Sequence, residues 1–204
     1  DLFVLYDCVQ FTRRGWLHRN KMQHISGDLR WLTLPLHKAP QSIRIDELRF
    51  NQNRQQQWQA DMQQFPCFEA ELLKQHNISQ TVATLNGSVV DYIERLLKQC
   101  ADLLHIDCQL LRSSSLNIPA DITSQNRIIT IANILNATTY INAPGGGALY
   151  ESQAFSNAAL ELRFLTEYQG SHASIAQRIA QAGQSANGLS MLIDEIHSQC
   201  NLTT

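Results

Sequence analysis

The chain has little charge, and the two signs are nearly balanced. Charged residues make up 17% of the 204 residues, and the formal net charge is −2 at pH 7. A protein that binds nucleic acid generally must neutralise many phosphates, so this composition argues against a nucleic-acid partner. The sequence also lacks any hydrophobic run approaching the ~20 residues of a membrane span, and we expect no such span.

Cysteine is scarce and scattered. The five cysteines form no CxxC pair and no cluster with histidine, so the sequence predicts neither a disulfide framework nor a structural zinc site. Reduced thiols favour a cytoplasmic protein. The seven histidines show no HExxH or HxH spacing, and we expect no metal site.

The chain begins within a hydrophobic segment. Its opening residues, DLFVLYD, include no initiator methionine, and residues 2–9 have the pattern of a buried strand. We therefore expect that an upstream segment of the protein is missing from this sequence.

From Ser88 onward, predicted strands alternate with predicted helices. Helical patterns cover residues 88–106, 124–136 and 173–200, and strand patterns cover residues 108–113, 138–142 and 160–168. This alternation favours a mostly parallel, Rossmann-like sheet flanked by helices. The prediction is a single α/β domain over residues 1–204. Further strands are expected at 29–37 and 42–50, and a helical stretch is expected at about 51–105.

Positive charge is concentrated in one segment, FTRRGWLHRNK, at residues 11–21. It contains four of the 16 lysines and arginines and follows the first predicted strand. Ligands of α/β sheets bind at the carboxyl ends of strands, and arginine suits phosphate or carboxylate. The segment is interpreted as an anion-binding loop, with a solvated connection as the alternative. In the first interpretation Arg14, Arg19 and Lys21 hold the anion, and Asp7 orients a substrate group or accepts a proton.

Two other segments follow predicted strands. Glycine is infrequent, yet Gly145, Gly146 and Gly147 are consecutive and would allow backbone amides to approach a phosphate. The segment matches neither GxGxxG nor the Walker A pattern, so a flexible loop or lid is the alternative. The serines of RSSSLN are suited to binding an anion, capping a helix or forming a turn. No GxSxG elbow is present, so a serine hydrolase is not predicted.

Several short segments, taken in order, resemble the WbqC-like family. They are DLFVLYDCVQFTRRGWLHRNK, WLTLPL, SSSL, TTYIN with the following glycines, and LSMLID. The chain lacks the usual family opening, which is similar to HQPNYFPWLGY, and LSMLIDEI carries an extra residue. The positions that match the family motifs are Asp7, Gln10, Phe11, Arg19, Asn20, Thr139, Tyr140, Gly146, Tyr150, Ser190 and Asp194.

Members of this family are commonly encoded with genes for bacterial surface polysaccharides, including O-antigen, so the resemblance implies a role in making such polysaccharides. The layout is also similar to nucleotidyltransferase-type α/β folds, whose superfamily includes ligases that form amides through acyl-adenylates. Together these imply a transferase or amide-forming ligase that acts on a small anionic substrate bearing a nucleotide or phosphate. The cofactor is open, with a nucleotide as the candidate. A non-catalytic binding or scaffold protein in a polysaccharide-assembly complex is the alternative, since no nucleophile–base pair is recognisable.

We expect the strands ending at Asp7, Ser113 and Asn142 to share one sheet and to bring three segments to one rim. Asp7 and Tyr140 are the predicted catalytic residues. The predicted substrate-binding residues are Gln10, Arg14, Arg19, Asn20, Lys21, Ser114, Ser115, Gly145, Gly146, Gly147 and Tyr150.

Overall fold

The computed structural model describes residues 1–199, and these form a mixed α/β structure. Short 3-10 helices lie at Ile45–Glu47, Gln52–Arg54, Pro66–Glu69, Ser113–Leu116 and Pro144–Leu149. The strands and α-helices are β1 (Leu2–Leu5), β2 (Arg19–Gln23), β3 (Leu29–Thr33), α1 (Gln55–Met62), α2 (Glu71–Gln75), α3 (Ile78–Ala83), α4 (Val89–Leu103), β4 (Gln109–Arg112), α5 (Ser124–Ile134), β5 (Thr139–Asn142), α6 (Ser152–Asn157), β6 (Glu161–Phe164), α7 (Ile175–Ala182) and α8 (Gly188–Gln199).

The chain divides into two compact units. Unit 1 comprises Asp1–Leu111 and Ser171–Asp194, and unit 2 comprises Arg112–Gly170 and Glu195–Thr204. Unit 1 is therefore discontinuous in sequence, because most of unit 2 is inserted between its two parts. The predicted helix at 173–200 is present as α7 and α8, and Cys200 lies outside the described residues.

The predicted alternation after Ser88 is confirmed, but the predicted single sheet is wrong. Within residues 1–199 the strands form three two-stranded sheets: β1 with β4, β2 with β3, and β5 with β6. The β5–β6 pair is parallel and the β2–β3 pair is antiparallel. All these strands are only four or five residues long, so each offers few backbone groups for a further neighbour.

The N-terminal strands differ from the prediction in two respects. Leu2 and Phe3 in β1 are 41% and 53% exposed, so this strand is not buried along its length. The end of the basic segment is not a loop, since Arg19, Asn20 and Lys21 belong to β2. The hairpin of β2 and β3 is held to the core by Met22 and Leu32, both buried.

Two segments predicted as extended or flexible are 3-10 helices. Ile45–Glu47 replaces the strand expected at 42–50, and Pro144–Leu149 replaces the glycine loop. Pro144 begins the second of these helices, where its fixed φ and missing N–H are tolerated. Three consecutive glycines are therefore not sufficient to predict a loop at this position.

Helix α4 organises the core of unit 1 and matches its prediction. Ser88 accepts a hydrogen bond from the Asp91 amide, and the Asp91 carboxylate accepts one from the Ser88 amide, which forms a capping box. Val89, Val90 and Tyr92 are buried on one side of the helix. Helix α7 packs on α2 and on the 3-10 helix at Pro66–Glu69, completing this unit from the far end of the chain.

Candidate functional site

Unit 1 contains a groove of about 820 Å³ whose walls are strongly cationic. Asp61 is the one carboxylate among its lining residues. His18, His24 and His37 also line it. We call this feature the basic groove. Its cationic residues are Arg13, Arg14, Arg30, Lys38 and Arg54.

The cations of the basic groove differ in how they are held. Arg13 donates to the Ala39 carbonyl oxygen at 2.5 Å, and Arg30 pairs with Asp28 at 3.0 Å. Within residues 1–199, the side chains of Arg14, Lys38 and Arg54 make no hydrogen bond or ion pair. These three charges are thus available to an anion without breaking an existing contact.

The predicted anion ligands Arg19 and Lys21 lie against an aromatic ring, and their part in anion binding stays a prediction. In the hairpin, Lys21 is directly opposite Trp31, and Arg19 is opposite Thr33 on the same face. The Arg19 guanidinium carbon is 4.1 Å from the Trp31 ring centroid, and the Lys21 ammonium nitrogen is 5.1 Å from it. At these distances both cations make cation–π interactions with the ring, which stabilise the hairpin. Trp16, 56% exposed, lies beside Trp31 with ring centroids 4.7 Å apart.

Arg19 also shapes the turn that precedes it. Its Nε donates to the Gly15 carbonyl oxygen at 3.2 Å, and its Nη2 donates to the Arg14 carbonyl oxygen. Arg14 has a φ of 62°, a left-handed conformation that a non-glycine residue adopts at some cost. Arg19 therefore supports the conformation that carries Arg14 into the basic groove.

His18 has a distinctive environment in the basic segment. Its Nδ1 is buried and has no hydrogen-bond partner within residues 1–199, and its ring meets the Phe11 ring edge-on with centroids 5.0 Å apart. Burial, followed by the nearby positive charges of Arg19 and Arg13, lowers the pKa of His18 below 6.5. The imidazole is therefore neutral at physiological pH.

A second, apolar cavity of about 190 Å³ lies in the same unit. Side chains of the β2–β3 hairpin and of α3, α4 and α7 form its walls, and we call it the apolar cavity. Of the predicted ligands, Arg19 and Asn20 line it. Burial raises the pKa of Cys100 to about 11, so this thiol in the cavity wall is protonated at neutral pH.

Asp7 and Gln10 lie outside the lining of the basic groove. Asp7 is buried at 3% exposure, and its carbonyl oxygen accepts a hydrogen bond from the Asp46 amide at 3.0 Å. Gln10 is exposed and donates from Nε2 to the Gln41 carbonyl oxygen at 2.8 Å. These contacts fix the end of the first strand, and a role for Asp7 in catalysis stays a prediction.

The predicted residues of the second motif gather in unit 2. The Tyr140 and Tyr150 hydroxyl oxygens are 3.3 Å apart, and Asn142 Nδ2 donates to the Tyr150 hydroxyl at 3.1 Å. The rings of Tyr140 and Tyr150 both contact Phe155, which is fully buried. This aromatic cluster joins β5, Tyr150 just after the 3-10 helix, and α6.

The three glycines are not equivalent. Gly146 is buried, and a Cβ atom there would lie 2.5 Å from Asn142 Nδ2. A Cβ at Gly145 or Gly147 would meet nothing within 4 Å. Only Gly146 therefore has a steric reason to be glycine.

The serine segment is a 3-10 helix that follows β4. Ser115 Oγ donates to the Arg112 carbonyl oxygen at 2.7 Å, which is a turn contact. Ser113 is buried. The predicted ligands are the two serines that follow it, Ser114 and Ser115. Anion binding by Ser114 and Ser115 stays a prediction, as does the meeting of the three segments at one rim.

Sequence reasoning missed most of the basic groove. Lys38 and Arg54 are isolated cations in the segments PLHKAP and NQNRQQQ, with no cluster to single them out. Tertiary packing places them beside Arg13 and Arg14. No pattern in a single sequence signals that proximity.

Two features are absent from residues 1–199. No group of three or more His, Cys, Asp or Glu side chains in this range is placed to hold a metal ion. Over the same range, no helix has both the length and the apolar character needed to cross a membrane.

The fold and the groove define a mixed α/β protein with a local cationic surface on a nearly neutral chain. The chain belongs to the WbqC-like protein family, whose model matches residues 1–192. Membership points to polysaccharide-related biosynthesis. Neither a curated protein nor a solved structure matches the chain.

Proposed function

We propose that the protein is an enzyme of surface polysaccharide or related small-metabolite biosynthesis. It acts as a transferase or an amide-forming ligase on a substrate that carries a phosphate or a nucleotide. The observation that supports this proposal is the basic groove, which sets Arg14, Lys38 and Arg54 around one volume with a single carboxylate in its lining.

The groove favours a small phosphate-bearing molecule over an extended polyanion. Its volume of about 820 Å³ lies within the usual range for small-molecule sites, ~300–1,000 Å³. Trp31 also lines it, with its ring held against the Arg19 and Lys21 cations. A nucleotide or nucleotide sugar presents the phosphate that the arginines suit.

Asp7 and Tyr140 are the proposed catalytic residues. A Rossmann-like or nucleotidyltransferase-like relationship is part of the same proposal. It is supported by the alternation of strands and helices after Ser88 and by the parallel pairing of β5 with β6. A cytoplasmic location is supported by the four free cysteines among the described residues.

Direct binding tests the proposal. Isothermal titration against a panel of nucleotides and nucleotide sugars is expected to find at least one ligand. Arg54→Ala should weaken its binding by about tenfold, the loss of one charge-assisted contact of ~1.5 kcal/mol. The matched control is Arg95→Ala, which removes the same charge from an exposed position of α4 outside the groove. Equal binding by both variants, or no ligand in the panel, contradicts the proposal.

A scaffold protein in a polysaccharide-assembly complex is the second candidate, because the sequence has no recognisable nucleophile–base pair. The enzyme proposal expects Asp7→Asn and Tyr140→Phe, each confirmed to be folded, to abolish polysaccharide formation in cells. The scaffold proposal expects both variants to support it. Recovery of a stable protein partner, without any change in small molecules by mass spectrometry, favours the scaffold.

A further inference from the structure

A further pocket of unit 1 has a lining unlike that of the basic groove. Its volume is about 850 Å³, and its walls come from the β2–β3 hairpin, the Pro66–Glu69 helix, α2 and α7. All of its lining residues belong to the described part of unit 1, and none of them is a lysine or an arginine. We call it the glutamine pocket, after the glutamines that line it, which are Gln23, Gln75, Gln177, Gln181 and Gln184.

Gln177 contributes a side-chain amide to the glutamine pocket from a buried position on α7. The residue is only 6% exposed, and its Oε1 accepts a hydrogen bond from the Gln23 backbone N–H at 3.2 Å. Because a backbone N–H only donates, this contact determines which end of the amide is oxygen and which is nitrogen. The amide therefore does not turn over without losing that hydrogen bond.

The Nε2 group of Gln177 is left without a partner. It makes no hydrogen bond within residues 1–199. It is not enclosed in the core either, since the enclosed side-chain atoms that lack a partner in this range belong to His18, Gln99 and Arg127. Buried polar side chains are nearly always fully hydrogen-bonded, so we expect this fixed donor to bind an acceptor atom of a ligand or of water.

The other uncharged groups of the pocket suit a ligand rich in hydroxyls. Gln181 and Gln184 are exposed, and their side chains make no hydrogen bond within residues 1–199. Each amide has both a donor and an acceptor, which matches a hydroxyl group, because a hydroxyl also donates and accepts. Apolar side chains line the same pocket and would cover the C–H surface of a ring; they include Ile25, Pro66 and Leu72.

The charges of the glutamine pocket argue against an ionic ligand. A phosphate or carboxylate would find no lysine or arginine among the lining residues to pair with. The two carboxylates that line the pocket both have partners. Glu69 pairs with Lys74 at 2.7 Å, and Glu71 accepts a hydrogen bond from Gln75 Nε2 at 3.1 Å. Neither carboxylate therefore requires a cationic ligand.

We propose that the glutamine pocket binds an uncharged, hydroxyl-rich ligand, namely a neutral mono- or disaccharide. Gln177 Nε2 donates to an oxygen of the sugar, and Gln181 and Gln184 bind further hydroxyls. The volume of about 850 Å³ lies within the range of small-molecule sites, ~300–1,000 Å³. This site does not rest on the proposed function, because His24 is the only residue that lines both this pocket and the basic groove.

Saturation-transfer NMR on the complete chain tests this site with glucose, galactose, N-acetylglucosamine, maltose, lactose and chitobiose. At least one of these neutral sugars is expected to bind. Glucosamine and spermidine carry positive charge and are expected to bind more weakly than that sugar. Absence of binding by every neutral sugar overturns the proposal. Tighter binding by glucosamine or spermidine overturns it as well, because the pocket would then be a cation site.

Glutamine variants locate the binding. Gln181→Ala should weaken binding of the sugar by about fivefold, the loss of one neutral hydrogen bond, and Gln177→Met should weaken it by at least about that factor. The matched control is Gln56→Ala, which removes an exposed glutamine from α1 outside the pocket and should leave the affinity unchanged. Binding by Gln177→Met and Gln181→Ala as tight as by the control overturns the site. If Gln177→Met does not fold, unchanged binding by both Gln181→Ala and Gln184→Ala overturns it, since both positions are exposed.

The sugar site and the proposed function fail separately. A protein that binds a member of the nucleotide panel but no neutral sugar lacks the sugar site and keeps the basic groove as its anion site. A protein that binds a neutral sugar, with the expected losses in the glutamine variants, but no nucleotide or nucleotide sugar keeps the sugar site and contradicts the proposed function.

Discussion

His18 is expected to make the stability of the protein depend on pH. Burial and the charges of Arg19 and Arg13 lower the pKa of His18 in the folded state, so the unfolded chain binds this proton more tightly. The free energy of unfolding should therefore be fully retained above pH 6.5 and should decrease as the pH falls from 6.5 toward the lowered folded-state pKa.

Urea unfolding of the parent and of His18→Phe, between pH 5 and 7.5, measures this effect. The difference in unfolding free energy between the two proteins should shift in favour of His18→Phe as the pH falls. The exposed His76 provides a matched control, His76→Phe. A constant difference between His18→Phe and the parent would contradict the assignment.

Gly146 is expected to tolerate a methyl group poorly, in contrast with its neighbours. The added Cβ would displace the Asn142 amide, which holds both the Tyr150 hydroxyl and the Ala143 amide through hydrogen bonds. Gly146→Ala should lower the free energy of unfolding by about 1–3 kcal/mol, the usual cost of overpacking.

Gly145→Ala is the control for Gly146→Ala, because its Cβ points into open space. It should leave stability unchanged or raise it by about 0.4–1 kcal/mol, since alanine reduces the entropy of the unfolded chain. Chemical denaturation of both variants gives the comparison. Equal losses would show that the Asn142–Tyr150 arrangement does not depend on Gly146.

At the level of elements, α4 depends on its N-terminal cap. The Ser88 hydroxyl satisfies the Asp91 amide, which otherwise lacks an intrahelical partner. Ser88→Ala should therefore lower the free energy of unfolding by about 1 kcal/mol, whereas Ser88→Thr keeps the hydroxyl and most of the stability. Thermal unfolding measures the ranking, and a Ser88→Ala variant as stable as Ser88→Thr would contradict the role of the cap.

The elements show how far the sequence predicts this fold. The apolar residues of α4 recur at helical spacing over 15 residues, so the sequence predicts this helix well. β2 was missed because RNKMQ carries four polar residues and buries only Met22. The pairing of strands is non-local, since β1 pairs with β4 about a hundred residues later, and periodicity within a segment carries no information on partners.

The candidate site shows the same limit. Arg14 was identified because its charge lies in a local cluster. Arg19 and Lys21 are predicted anion ligands from the same cluster, and the sequence does not show that their charges also lie against Trp31, a contact created by the register of the hairpin. Lys38 and Arg54 join the basic groove through packing alone.

For the molecule as a whole, unit 1 requires residues from both sides of the inserted unit. Ile179 is fully buried, and the Ser174 amide donates to the Lys21 carbonyl oxygen at 2.9 Å. A chain ending at Gly170 therefore retains all of residues 1–111 but exposes the apolar surface that α7 covers. We expect it to lose the cooperative thermal transition seen by circular dichroism.

A chain ending at Gln199 is the control for this truncation, because it keeps every described residue. It should keep the cooperative thermal transition. A cooperative transition at an unchanged temperature in the chain ending at Gly170 would show that unit 1 does not depend on α7.

The discontinuity of unit 1 also sets an order of events on the ribosome. Elongation proceeds at ~5–20 residues per second, so α7 follows residue 111 by several seconds. During that interval the side chains that α2 and the Pro66–Glu69 helix present to α7 are exposed in the nascent chain. The yield of folded protein should therefore depend on how fast residues 112–170 are translated, which codon usage sets. It should also depend on whether a chaperone binds the nascent chain during that time.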